Sequence, residues 1–402
     1  MPAEIVTAAR PSFGLRLGRP PRWPTTRRII TAALVAALVL SASATVSTIS
    51  LLQLPEPTGP HSVGKHVSMV VDPTRPEPGS DAAGDDRQLR LVTWYPAVTG
   101  TGSPSAYMEG LEAIRDGLVA SNSVSGPAAA ALGAVRDPSR LGATVDPSRA
   151  SWPVVVLTPG NATNVESYGS LAVDLTSRGF VVIGIDHPYQ SAAVALPQGV
   201  AIYSGDAPLA DTERVTRDRI DQRVADIRTV LDRIADGSLD VGPASASLDR
   251  TRIGLMGHSN GGVAAAEACV DARVSACLNM DGQLAGGPFS VRPDPVAPTK
   301  PFLYLTKETA LHPVLAELFE AGGEGTFRVV VPAATHDGFT DGPLFQPRLL
   351  PFPSTVDDVI TVSRETIGAF FGHTLADAPL SVFGGLDAPT SVQIAVYPLV
   401  RP

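Results

Sequence analysis

The stretch Gly257-His258-Ser259-Asn260-Gly261-Gly262 constrains the fold more than any other part of the chain. It follows the apolar run Arg252-Ile253-Gly254-Leu255-Met256 and precedes the alanine-rich Val263-Ala264-Ala265-Ala266-Glu267. A short β-prone run, a Gly-x-Ser-x-Gly turn and a helix-prone segment are the parts of a nucleophile elbow, in which a serine sits on a tight strand-to-helix turn with its hydroxyl exposed. Side chains at Gly257 and Gly261 would crowd that turn and the approach of helix to strand. The bland alternative is an ordinary strand-to-helix turn in a chain with 37 glycines.

The rest of the body continues the alternation. Apolar runs at 154–157 and 180–185 fit strands buried on both faces of a parallel sheet, with a helical segment at 168–177 between them. Residues 219–234 place Ile220, Val224, Ile227, Val230, Leu231 and Ile234 on one helical face. Strand patterns follow at 276–280, 302–305 and 327–331, and a helix at 356–371 closes the body. Such alternation predicts an α/β fold with a mostly parallel central sheet, helices on both faces, and ligands at the carboxyl ends of the strands. Upstream, 66–72 and 89–96 read as two further strands. Residues 97–150, with an amphipathic helix near 107–118, read as an inserted lid or cap. The body thus occupies 55–375, and 376–402 is a proline-containing tail.

The first 28 residues carry six arginines and one glutamate, a net +5 out of a whole-chain −9, which leaves −14 for the remainder. An acidic body offers no basic patch to phosphates, so no nucleic-acid partner is expected. Residues 29–54 contain no charged side chain. Arginines before such a stretch describe an exported protein. Two outcomes fit: a signal peptide cleaved near Ala42-Ser43-Ala44, or a retained single anchor that associates the protein with a membrane. Either way the body is expected outside the cytoplasm, secreted or anchored. Thr26-Arg27-Arg28 also bears a faint likeness to a twin-arginine signal. The two cysteines, Cys269 and Cys277, suit a disulfide in that compartment or two buried thiols, and their spacing matches no zinc site. No metal or cofactor is called for.

A serine hydroxyl needs a base to take its proton and an acid to orient that base. In α/β-hydrolases these follow in the order Ser, acid, His. Downstream of Ser259 lie only His312, His336 and His373. His336 follows the 327–331 strand in a loop, His312 starts a helical segment, and His373 lies past the last helix, so His336 is the expected base. Asp281 ends the 276–280 strand and Glu308 follows the 302–305 strand; Asp281 is favoured because it abuts its strand and precedes Gly282. Asp271 and Asp294 read as turn and loop residues. The oxyanion hole should use the N–H of Asn260 and one from Thr158-Pro159-Gly160-Asn161-Ala162. Pro159 has no N–H, which makes Asn161 the better choice there. Asn161-Ala162-Thr163 is also a glycosylation sequon, but a glycan would block the hole, so the match is read as accidental.

Assembled, these residues resemble the platelet-activating-factor acetylhydrolase family of the plasma and intracellular type II kind, in its bacterial form. The likeness runs through Pro57-Thr58-Gly59-Pro60, Trp94-Tyr95-Pro96-Ala97, Thr158-Pro159-Gly160, Asp226-Ile227-Arg228, the elbow, Asn279-Met280-Asp281-Gly282, residues 336–341 and Phe370-Phe371. It implies an α/β-hydrolase fold, with Ser259 as nucleophile, His336 as base and Asp281 as acid, and hydrolysis of small-molecule or lipid esters, including short-acyl phospholipids. Animal members carry a histidine and two glycines where this chain has Pro159, Gly160 and Ala162, and an aromatic residue in place of Asn260, so the acyl pocket is expected to differ. A polyester or cutin esterase, a dienelactone-type hydrolase or an acyltransferase would use the same triad. A non-catalytic binding protein on this fold is the alternative from another class.

Overall fold

Val154 and Val156 pack into one apolar core and Val155 and Leu157 into another. A strand apolar on both faces needs cover on both sides, and the molecule is layered accordingly. The computed structural model describes residues 52–379, apart from 81, 83, 207, 209–210, 285–297, 309, 311, 323–324, 333 and 346–354. The basic start, the apolar segment up to residue 51, Asp294 and the tail from 380 lie outside the described residues.

In chain order, β1 (Ser62–Pro76), β2 (Asp86–Ala97) and β3 (Ser103–Ala106) lead to α1 (Leu111–Ala120), α2 (Gly126–Leu132) and β4 (Arg136–Leu141). Next come β5 (Trp152–Thr158), α3 (Gly169–Ser177), β6 (Val181–Asp186), the pair β7 (Ala193–Leu196) and β8 (Gly199–Ile202), and α4 (Thr212–Asp236). The elbow joins β9 (Leu248–His258) to α5 (Asn260–Ala268), followed by β10 (Val274–Met280), β11 (Phe302–Thr306), α6 (Pro313–Ala321), β12 (Thr326–Val330) and α7 (Thr355–Ala376). The large sheet has the order β12-β11-β10-β9-β5-β6-β2-β1-β4-β3. From β6 to β12 its neighbours are parallel, while β2 is antiparallel to both β6 and β1. This is the mostly parallel α/β arrangement expected. The faces are covered by α3 and α7 on one side, through Leu171, Phe370 and Phe371, and by α4 and α5 on the other, through Ile227, Val230 and Ala264.

Two regions differ from the sequence expectation. Residues 97–150 are not only a cover: β3 and β4 extend the sheet beside β1, while α1 packs against α2 and the β7–β8 pair. β4, Arg-Asp-Pro-Ser-Arg-Leu, has none of the apolar alternation that marks a strand, although it lies between β1 and the edge strand β3. Buried Lys65 on β1 fastens this region by donating to the carbonyls of Ala106 (2.8 Å) and Tyr107 (2.9 Å) and pairing with Asp137 (3.0 Å). The β7–β8 hairpin also has no counterpart among the expected elements, its strands being four residues each.

Candidate active site

β9 ends at His258 and α5 begins at Asn260, which isolates Ser259 at the turn with φ 54° and ψ −127°. A non-glycine residue tolerates such a conformation only where its surroundings enforce it. The enforcement is close packing: a Cβ on Gly257 would collide with the Gly261 carbonyl, and one on Gly261 with the carbonyls of Thr158 and Pro159. Asp281 sits one residue past β10 with φ 49°, its N–H donating to the Leu305 carbonyl at 2.8 Å.

These turns bring three side chains into line. His336 Nε2 is 3.0 Å from Ser259 Oγ, and its Nδ1 is 2.7 Å from Asp281 Oδ2. Asp281 Oδ1 accepts from Thr306 Oγ1 (2.8 Å) and from the Lys307 N–H (3.2 Å). Burial raises the Asp281 pKa, but the hydrogen bonds from His336 and Thr306 and the Lys307 charge outweigh it, so the carboxyl lies below its usual range and is ionised at neutral pH. An ionised Asp281 accepts the Nδ1 proton of neutral His336, which leaves Nε2 free to accept from the serine hydroxyl.

The loop after β5 faces the same point. Gly160 N–H donates to Tyr168 Oη (3.0 Å) and Ala162 N–H to the Gln190 carbonyl (2.8 Å). Among the described residues the N–H groups of Asn161 and of Asn260, the first residue of α5, have no acceptor. Two unpaired donors flanking a serine can receive an oxyanion. Asn161 Oδ1 accepts from Arg223 at 3.2 Å, which engages the sequon's amide in the site itself.

The remaining acids and histidines lie elsewhere. Glu308 is exposed and pairs with Lys307 at 3.6 Å. His312 precedes α6 and its Nδ1 accepts from the Val314 N–H. His373 falls within the last turn of α7 rather than beyond its end, since that helix runs on to Ala376; its Nδ1 donates to the Ala378 carbonyl at 3.0 Å. Asp271 binds Arg273 in the turn before β10. Cys269 and Cys277 are joined in a disulfide that ties the end of α5 to β10.

Four buried side chains at the site were absent from the sequence expectations. His258 Nε2–H donates to the His336 carbonyl (2.9 Å), and its Nδ1 accepts from Tyr168 Oη (2.8 Å). Burial, with His336 close by, lowers the His258 pKa to about 3 and keeps the ring neutral. His187 Nε2 accepts from Thr158 Oγ1 (2.7 Å), while its Nδ1 donates to Asp226 (2.7 Å). Arg223 reaches the loop from α4, donating to the Pro159 carbonyl (2.6 Å). A signal existed for Arg223: it lies at i+3 from Ile220 and i−4 from Ile227, a charge inside an apolar stripe. Beside the loop lies a cavity of about 600 Å³, walled by Met108, Leu118, Val124, Leu132 and Val135 and bordered by Asn161 and Asp337.

A probable 1-alkyl-2-acetylglycerophosphocholine esterase of Arthroderma benhamiae is 29% identical over 271 residues, covering 64% of this chain and 66% of that protein. The 20-hydroxy-prefusarin hydrolase FUS2 of Gibberella moniliformis is 34% identical over 119 residues, 29% of this chain and 27% of the other. The chain therefore spans just under two thirds of the first relative and about a quarter of the second. Among solved structures, the ferulic acid esterase from Streptomyces cinnamoneus matches with a TM-score of 0.65 and 28% identity, over 85% of this chain and 98% of that one. The profile of the family described as platelet-activating factor acetylhydrolase, isoform II, matches residues 48–282, a stretch that includes Ser259 and Asp281 but stops short of His336. With more than half its length matched and an α/β-hydrolase fold, the chain belongs to the platelet-activating factor acetylhydrolase isoform II family.

Proposed function

We propose that the protein hydrolyses carboxylic esters through an acyl-enzyme, with Ser259 as nucleophile, His336 as general base and Asp281 as the acid that orients it. The carrying observation is His336 suspended between the other two, 3.0 Å from the hydroxyl and 2.7 Å from the carboxylate. Ser259 Oγ bonds to the ester carbonyl carbon as its proton passes to His336 Nε2. The N–H groups of Asn161 and Asn260 hold the oxyanion. The alcohol departs with the proton from His336, which then deprotonates a water that releases the acid and restores Ser259.

The aliphatic walls of the 600 Å³ cavity support an ester carrying an apolar chain. The fungal relative's name supports a short-acyl phospholipid and the structural neighbour's title a phenolic ester. The arginines ahead of 29–54 and the Cys269–Cys277 bond support a location outside the cytoplasm, secreted or membrane-anchored. Ser259→Ala should lower ester turnover by at least ~10³-fold, and a fluorophosphonate should label Ser259. Undiminished turnover, or labelling at another residue, discards the triad. A panel of p-nitrophenyl esters from acetate to octanoate, a 2-acetyl phospholipid, methyl ferulate and a polyester film ranks the substrate classes.

A further inference from the structure

We propose that Arg223, which touches neither Ser259 nor His336, is a positioning residue for the oxyanion hole: it holds the Gly160–Asn161 peptide from behind and polarises it toward the reacting oxygen. The inference rests on the assignment of Asn161 as a donor.

The guanidinium is fully buried. Its Nη1 donates to the Pro159 carbonyl (2.6 Å) and Thr158 Oγ1 (3.5 Å), its Nη2 to the Gly160 carbonyl (3.4 Å) and Asn161 Oδ1 (3.2 Å), and its Nε to Gln190 Oε1 (2.8 Å). All five acceptors are neutral. Asp226, one turn further along α4, spends its carboxylate on Arg75, Arg87 and His187. Burial lowers the Arg223 pKa, to about 10, which still leaves the group charged at neutral pH. A buried cation without a hydrogen-bonded carboxylate is costly, and a neutral side chain would suffice merely to fill the space.

The charge has a use because of where the loop bends. The Gly160 carbonyl and the Asn161 N–H are the two ends of one peptide group. A cation on the carbonyl end draws electron density through that group and makes its N–H a stronger donor. The oxyanion forms at the other end, in a site of low dielectric where a fixed positive charge acts with little screening. Gln190 completes the hold: its side chain takes Arg223 Nε and its carbonyl takes the Ala162 N–H, so both sides of Asn161 are fixed.

Arg223→Gln and Arg223→Lys, made in the full chain, are compared with wild type for kcat and KM on p-nitrophenyl butyrate. The same proteins are titrated with an aryl trifluoromethyl ketone, whose adduct on Ser259 carries an oxyanion. Removing an oxyanion donor outright costs about 10²- to 10³-fold, so weakening one should cost roughly tenfold to a hundredfold in kcat for the Gln variant, with KM within about threefold. Ketone affinity should fall by the same factor as kcat. The Lys variant, which keeps the charge but loses the fork, should recover part of both. If the Gln variant does not fold, the Lys variant decides: a fall in ketone affinity matching its fall in kcat supports the proposal, and unchanged values overturn it. Loss confined to KM, or equal loss in both variants with ketone affinity following KM, also overturns it and leaves Arg223 a structural clamp. Ser259→Ala in parallel separates the failures: turnover that survives it discards the triad, whereas Ser259-dependent turnover indifferent to residue 223 discards only the role of Arg223.

Discussion

The loop after β5 and the loop that carries His336 meet at Ser259 but are fastened by different chemistry. The first is held by groups whose charge does not change near neutral pH. Arg223 stays protonated, and His187 stays neutral because burial, with Arg223 nearby, lowers its pKa to about 4. Burial also drives the Tyr168 hydroxyl well above its ordinary value. The His336 loop is instead anchored at Asp341, whose N–H donates to the Ser167 carbonyl (2.7 Å) and whose carboxyl accepts from Ser170 and from Tyr107 Oη (3.1 Å). Burial lifts the Asp341 pKa to about 7, against the lowering effect of those hydrogen bonds. In the proposed mechanism, the side that presents fixed dipoles is thus insulated from pH, and the side that moves protons is moored by a carboxyl whose pKa burial raises to about 7. Tyr168 and His258 form the only chain of side-chain hydrogen bonds among the described residues that runs from the Gly160 N–H to the His336 carbonyl.

The sharpest way to break this contrast is Asp281→Asn, which leaves both loops in place but upsets the His336 tautomer. It should lower kcat by about 10⁴-fold with an unchanged far-ultraviolet circular dichroism spectrum; a loss under tenfold would mean that another group orients the base. Next is Tyr168→Phe, which strips the link between the loops and leaves the Gly160 N–H buried and unpaired. Stability to urea should fall by ~1–3 kcal/mol and kcat by roughly tenfold; unaltered kcat would mean that the loops are set independently. The smallest effect on turnover is expected from Asp341→Asn, which acts on pH dependence. A carboxyl whose folded pKa is raised contributes stability fully below its unfolded value of 3.8, and that contribution is lost as pH rises through about 7. Asparagine cannot lose a proton, so between pH 5 and 8 the melting temperature of the variant should gain on wild type, by the equivalent of ~2 kcal/mol. Parallel melting curves across that range would remove Asp341 as the mooring's titrating group.

The parallel strands, the elbow and the order Ser, Asp, His were legible because each writes a local pattern: apolar runs such as Val154 to Leu157, glycines where backbones touch, and polar residues just past strand ends. The supports of the site were not, since each depends on a partner far away in sequence. Arg223 and Asp226 sit on a helix rich in charged residues, and only their place on its apolar face separates them from solvated neighbours. Tyr168 passes for an ordinary core aromatic until His258 and Gly160 are brought to its hydroxyl. β3 and β4 escaped notice for a different reason: β3 is the edge of the sheet and β4, its neighbour, is mostly half-buried, so neither shows the alternation that burial demands.

The disulfide between Cys269 and Cys277 closes a ring over a separation of eight residues, with Ser259 on the chain entering it and Asp281 on the chain leaving it. Even after every packed contact is lost, that ring keeps the two segments tethered, and the entropy of bringing them together again is already partly spent. What the bond limits is how far those two segments can part in the unfolded chain.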